Sequence, residues 1–243
     1  MTWIAPFLPT PALALWLIPV SAVYAGAVAW TTGYLRVGRG VRTPYTRKLF
    51  HFAIFTAAGA IHLTLGLPGV VVFGSVTSAL VLYAVWRADG FPFYEALARP
   101  SDAPRRTLFI LVPLATTAAG GVVSNLFFPA HAFVGYLVCG WGDAVGEPVG
   151  TRWGRHRYRV PSMGGVPSTR SLEGSAAVFT AGTLATACAL ALIGTPLGEL
   201  AVVALAAGAA GAAVEAISTH GLDNFTVQVA ASAAAYYAAS LLT

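Results

Sequence analysis

Apolar positions in this chain come in long unbroken runs, without the two-residue alternation of a half-buried strand or the narrow stripe of a helix with one wet face. Run after run approaches the roughly 20 residues that carry a helix across a hydrocarbon layer. The runs fall at 11–34, 49–66, 68–86, 107–126, 130–149, 172–194, 198–218 and 225–242. They predict an all-α fold: a polytopic transmembrane helix bundle of about eight spans, with seven to nine as the range, forming a single membrane domain over residues 1–243. Residues 1–46 supply the first span and a basic loop. Between two runs, Asp89–Pro100 sets Phe91, Phe93 and Tyr94 beside Glu95 and Arg99, the composition of a short helix lying at headgroup depth.

Composition sharpens this picture. The chain is 57% hydrophobic and 9% charged, with a mean hydropathy of +0.72, so no separate soluble domain fits. The later runs, GTLATACALAL and ALAAGAAGAAVEA, are crowded with alanine and glycine, which lets helices approach closely. Cys139 and Cys188 stand in apolar surroundings and form no CxxC or Cys/His cluster. Neither a disulfide framework nor a zinc site is expected. The N-terminal stretch lacks a basic leader and an obvious small-residue cleavage site, so it reads as a retained first helix.

Charge fixes orientation. A net charge of +5 could suit nucleic acid, but all 14 Lys and Arg sort into three short loops. Arg36, Arg39, Arg42, Arg47 and Lys48 lie in the first, Arg87, Arg99, Arg105 and Arg106 in the third, and Arg152, Arg155, Arg157, Arg159 and Arg170 in the fifth. With eight spans these loops share one side, which the positive-inside rule makes cytoplasmic. The expected setting is therefore the cell membrane with both termini outside, membrane lipids as surroundings and no nucleic-acid partner. Glu199 is the one charge in the even-numbered loops, at a helix start where it complements the dipole.

Candidate chemistry concentrates in Cys139–Ser175, which carries the carboxylates Asp143, Glu147 and Glu173 and five of the arginines. A carboxylate in or beside the hydrocarbon layer costs a few kcal/mol, so it persists where it meets a cation, a metal or a substrate. Asp143 and Glu147 are four apart and leave one face of a helix a turn from each other. A hard divalent cation such as Mg2+ would remove their repulsion while leaving sites for phosphate oxygens and water. The arginines supply guanidinium forks suited to the oxygens of a triphosphate. Gly142, Gly146, Gly150 and Gly154 recur every fourth residue, a stripe open to a neighbouring helix or to a ligand.

Three further motifs face the same side. In TRSLEGS, Ser171 is a helix cap, Glu173 stands in the first turn and Arg170 lies just outside. That end suits an anion, although an ordinary cap with a snorkelling arginine has the same pattern. VEAISTHGLDNFTV brings Glu215, Asp223 and Asn224, and RKLFH sets Arg47 and His51 on one helical face beside Lys48. Basic residues also belong at the cytoplasmic end of any span. His62, His131, His156 and His220 have no ligand spacing.

GDAVGEPVGTRWGRHRY, then RSLEGS, then VEAISTHGLDNFTV, with RKLFH upstream, together resemble the membrane family of nucleotide-dependent lipid-alcohol kinases. That family includes phytol kinase, dolichol kinase and CTP-dependent diacylglycerol kinase. The resemblance runs from about residue 47 to the C-terminus, and a more distant likeness joins the Gly-Asp and Ser-x-Glu-Gly pattern to phosphatidate cytidylyltransferases. It implies transfer of the terminal phosphate of a nucleoside triphosphate, often CTP, with ATP the other co-substrate, to a lipid alcohol such as phytol, geranylgeraniol or a polyprenol. The family's catalytic acids then fall on Asp143, Glu147 and Asp223, and Mg2+ on Asp143, Glu147, Glu215 and Asp223. Nucleotide contacts fall on Arg152, Arg155, Arg170, Ser171, Glu173, Asn224, Lys48 and His51. Family members commonly have lysine at the Arg170 position and a second acid where Leu222 stands, so this chain offers different geometry at one and one candidate ligand fewer at the other.

Two other functions use the same features. A cytidylyltransferase making a CDP-lipid would release pyrophosphate, and an ion-coupled transporter would place its carboxylates at mid-membrane on broken helices. The sequence leaves monomer and homodimer both open.

Overall fold

The computed structural model describes residues 7–161, 168–219 and 221–242. Nine helices and one small hairpin account for them: α1 (Pro11–Val37), α2 (Thr43–Arg87), α3 (Pro92–Leu97), α4 (Leu108–Phe127), α5 (Ala132–Leu137), α6 (Asp143–Trp153), β1 (Arg157–Val160), β2 (Ser168–Ser171), α7 (Leu172–Leu192), α8 (Leu197–Ile217) and α9 (Asp223–Ser240). Among the described residues, α1, α2, α4, α7 and α8 are long and apolar enough to cross a membrane. The protein is a helical membrane protein. Its residues group into two compact units, Met1–Ile110 and Leu111–Thr243.

In the first unit, α1 starts at Pro11 after Thr10, whose hydroxyl accepts the Leu13 amide at 3.2 Å. α2 merges two of the expected spans. A straight helix of its 45 residues would extend about 68 Å, yet its two ends lie near each other. At the start of α2, Thr43 and Thr46 donate to the carbonyls of Glu95 and Ala96 at 3.2 and 2.9 Å, and Phe50 meets the Phe93 ring at 4.8 Å. These partners belong to α3, which follows the other end of α2 by only a few residues. The chain must therefore double back. It does so at Gly66, with φ +66° and ψ −164°, a conformation open to a residue without Cβ. Both halves then pack on α1, where Tyr24 donates to the Ala53 carbonyl at 3.0 Å and its ring lies 6.1 Å from Phe73.

Small residues set the packing of the second unit. A Cβ on Gly208 would run into Thr183, and one on Gly182 or Gly211 would meet Val138. Ala185, Ala189, Val203, Ala204, Ala207, Ala231 and Ala235 fill the remaining contacts and are buried. Helix axes come close because little side chain stands between them. A π-helical turn at Val138–Gly142 joins α5 to α6, so the expected span 130–149 is interrupted just before Asp143. Such single π-turns recur at functional sites.

β1 and β2 are an antiparallel addition to the all-α expectation. Arg157 pairs with Ser171, Tyr158 with Arg170, Arg159 with Thr169 and Val160 with Ser168. Neighbours across the ladder share a face, so Tyr158 and Arg170 point one way and Arg157 and Arg159 the other.

Candidate active site

The described motif residues from Asp143 onward lie in the second unit, at one end of its helices. α6 carries Asp143 and Glu147 one turn apart and half-buried. The glycine stripe beneath them is filled by a helix, not left open. A Cβ on Gly142 would lie 2.9 Å from Val178 Cγ1, one on Gly146 would run into the same valine, and one on Gly150 would reach Ser171 Oγ at 2.9 Å. α6 therefore rests on the first two turns of α7. Ser171 is the N-cap of α7, its hydroxyl accepting the Gly174 amide at 3.1 Å.

Glu173 in that first turn reaches back toward the end of α6. One oxygen lies 2.8 Å from His156 Nδ1, and both accept the His156 amide at 3.3 Å. His156, without ligand spacing in the sequence, thus has an ordinary carboxylate partner. Arg152 and Arg155 are exposed, Arg152 stacking 5.2 Å from the Trp153 ring. Arg157 donates to the Gly154 and Thr151 carbonyls at 3.1 and 3.3 Å, which ties the end of α6 to the hairpin.

The inward face of the hairpin delivers Arg170 to the junction of α8 and α9. Its guanidinium pairs with Glu215 through Nη1 and with Asp223 at 3.0 Å through Nη2, and also donates to the Ser218 carbonyl at 3.3 Å. All three charged side chains are screened from water, 13% exposed for Arg170 and 7% for each acid. Asp223 opens α9. Its Oδ1 accepts the amides of Gly221 and Asn224, both at 3.0 Å, while Oδ2 accepts Arg170. Two backbone amides and one guanidinium thus fix the orientation of that carboxylate.

Asn224 links this junction to the acidic helix. The Cys139 thiol lies 3.8 Å from Asn224 Oδ1, and Cys139 belongs to the π-turn that feeds Asp143. The structure therefore joins Arg170, Glu215 and Asp223 directly, Asn224 to the turn before Asp143, and Ser171 and Glu173 to α6. Lys48 and His51 lie in α2 of the first unit, Lys48 buried and the His51 ring 4.3 Å from Phe55. Sequence reasoning passed over the Ser218 carbonyl, which carries no side-chain signal. It also passed over Gln228, whose signal was legible: a polar residue four after Asn224, on the same face of a span.

Among the described residues no three His, Cys, Asp or Glu converge to cage a metal. Mg2+ asks for less, usually one or two carboxylates with phosphate oxygens and water completing its shell. The Asp143 and Glu147 pair suits a nucleotide-borne Mg2+ of that kind. Glu215 and Asp223 already share a guanidinium.

A helical membrane unit that gathers acids and arginines from three separate motifs at one end has the organisation of a membrane enzyme. The chain is 31% identical over 233 residues to the phytol kinase of Synechocystis sp., with 93% of each chain covered. It belongs to the phytol kinase family of lipid-alcohol kinases. No family model matches it, and no solved structure does.

Proposed function

We propose that this protein transfers the γ-phosphate of a nucleoside triphosphate, CTP in the first instance, to the hydroxyl of a membrane isoprenoid alcohol such as phytol, geranylgeraniol or a polyprenol. The observation that carries this reading is the Arg170, Glu215 and Asp223 junction, where Arg170 meets acids 45 and 53 positions away in one screened charge cluster, linked through Asn224 to the turn that precedes the acidic helix α6. The name of the Synechocystis relative points the same way.

In this scheme α2 contributes two spans, folded back at Gly66, and the α5–α6 segment and α9 contribute one each. With α1, α4, α7 and α8 the count is eight, which sets the basic loops on the cytoplasmic face. The lipid tail stays between helices and its hydroxyl meets the nucleotide at that face.

Phosphoryl transfer needs positioning and charge neutralisation more than covalent help. The alcohol oxygen bonds to the γ-phosphorus, the bond from that phosphorus to the bridging oxygen breaks, and a nucleoside diphosphate leaves. Asp223, oriented by Arg170 and by the Gly221 and Asn224 amides, helps position the reacting groups. The proton goes to Asp143, which also orients the hydroxyl. Arg152 and Arg155 cover phosphate oxygens, and Arg170 keeps Glu215 and Asp223 in place as anions. Asp143 and Glu147 would hold Mg2+, which when bound neutralises triphosphate charge. Lys48 and His51 take no part in this scheme.

The test is purified protein in detergent with Mg2+, CTP or ATP labelled on the γ-phosphate, and a panel of prenols and diacylglycerol. Label should enter a prenol, and Asp143→Asn should abolish transfer from a folded protein. Incorporation only from α-labelled CTP, with lipid phosphates as acceptors, would replace this reading by CDP-lipid synthesis. Ion-driven flux without nucleotide would replace it by transport.

A further inference from the structure

α4 holds no charged residue and none of the motifs that carry the family resemblance, yet it grips the turn that aims Asp223. The direction of that carboxylate depends on the turn 221–224, because the Gly221 and Asn224 amides both bind its Oδ1. Two threonines of α4 hold this turn from opposite ends. Thr116 Oγ1 lies 2.6 Å from the Gly221 carbonyl, closer than to its own helix's Val112 carbonyl at 2.9 Å. Thr117 Oγ1 accepts Asn224 Nδ2 at 2.8 Å, and the Pro113 carbonyl lies 3.3 Å from the same nitrogen.

One turn further along α9, Gln228 is fully buried and donates to the Thr117 carbonyl at 3.3 Å and to the Asn224 carbonyl. Glycine is needed at two positions, one for the approach and one for the turn. A Cβ on Gly120 would lie 3.0 Å from Phe225 Cα and 3.1 Å from the Asn224 carbonyl oxygen, and Gly221 has φ +91°. Backbone cannot yield there as a flexible side chain would.

We propose that Thr116, Thr117 and Gln228 are positioning residues: a polar clamp between α4 and α9 that fixes the start of α9 and so the placement of Asp223 opposite Arg170. None of the three is placed on substrate. Their effect passes through Asp223, and the inference rests on the lipid-alcohol kinase reading above. Valine has the shape of threonine but offers neither donor nor acceptor, so Thr117→Val tests the hydroxyl and not the volume.

The experiment compares Thr117→Val, Thr117→Ser and Asp223→Asn with the unaltered protein. It measures kcat, KM for alcohol and for nucleotide, and the thermal midpoint in detergent. Because a misplaced group slows chemistry more than it weakens binding, Thr117→Val should lower kcat by about tenfold or more while both KM values hold within about twofold. Thr117→Ser keeps the acceptor oxygen and should restore kcat. Thr117→Val at full kcat, or a loss that serine does not rescue, overturns the clamp when Asp223→Asn is inactive. If Asp223→Asn keeps full activity, the reading of the site itself fails, whatever the threonine variants do.

Discussion

Replacing Arg170 by methionine removes one guanidinium and leaves two carboxylates facing each other without a cation. Arg170 lies 3.0 Å from Asp223, pairs directly with Glu215, and is 13% exposed against 7% for each acid. Solvent screening, which reduces surface ion pairs to about 0–1 kcal/mol, is therefore largely missing. Removing one partner of a buried pair costs about 3–5 kcal/mol, mostly from the charge left behind. At roughly 2–4 °C per kcal/mol for a domain of comparable size, the thermal midpoint should fall by about 10 °C. Arg170→Lys keeps the charge but not the fork, so it can satisfy one acid well and should lose about 1.5–3 kcal/mol, the value of one charged hydrogen bond. Fluorescence-detected size-exclusion melts in detergent read both effects. The decisive control is the triple variant Arg170→Met, Glu215→Gln, Asp223→Asn, which removes the orphaned charges and should recover most of the stability while remaining inactive. A methionine variant melting within about 2 °C of the parent, or a triple variant no more stable than the single one, would refute the reasoning, since either means the acids do not depend on Arg170.

The glycine stripe is open to a direct test. A side chain on Gly146 meets Val178 and lies 3.3 Å from the Gly174 carbonyl, so Gly146→Val should cost about 1–3 kcal/mol by overpacking and Val178→Ala should relieve part of it; an unaffected melt would mean α6 does not rest on α7. In the first unit, burial would push the Glu95 carboxyl up, but the Arg106 hydrogen bond, the Gly90 amide and the charges of Arg106 and Arg36 outweigh it and hold the group below its ordinary value. The folded state thus binds the proton less readily than the unfolded one, and the stabilisation is complete above the unfolded carboxylate value of about 4.3 and lost as pH falls below it. The midpoint difference between the parent and Glu95→Gln should be constant from neutral pH to about pH 5 and shrink below about 4.3; a difference unchanged at lower pH would remove the role of the pair.

The helices were legible because lipid tolerates only backbone that satisfies its own hydrogen bonds, and a long apolar run has few other forms. The run 172–194 became α7 (Leu172–Leu192), and the gap between the runs 49–66 and 68–86 fell at the Gly66 fold-back. Ser171 as a cap was legible for the same local reason, its hydroxyl needing only the amide three residues on. The hairpin was not. RYRV and STRS are short and polar, and what holds them is their pairing and the reach of Arg170 into the bundle.

By itself, then, the sequence determined the class of fold, the helices and the side chains with chemistry to offer, because periodicity and near-neighbour spacing act over one or two turns. The partners of Arg170 stand 45 and 53 positions away, and only the tertiary structure decided them. The same holds for the clamp of α4 on α9, where Thr117 meets Asn224 across 107 positions. The physical reason is that contacts of this kind depend on which small residues let two helices approach, and each such approach is settled by both surfaces together.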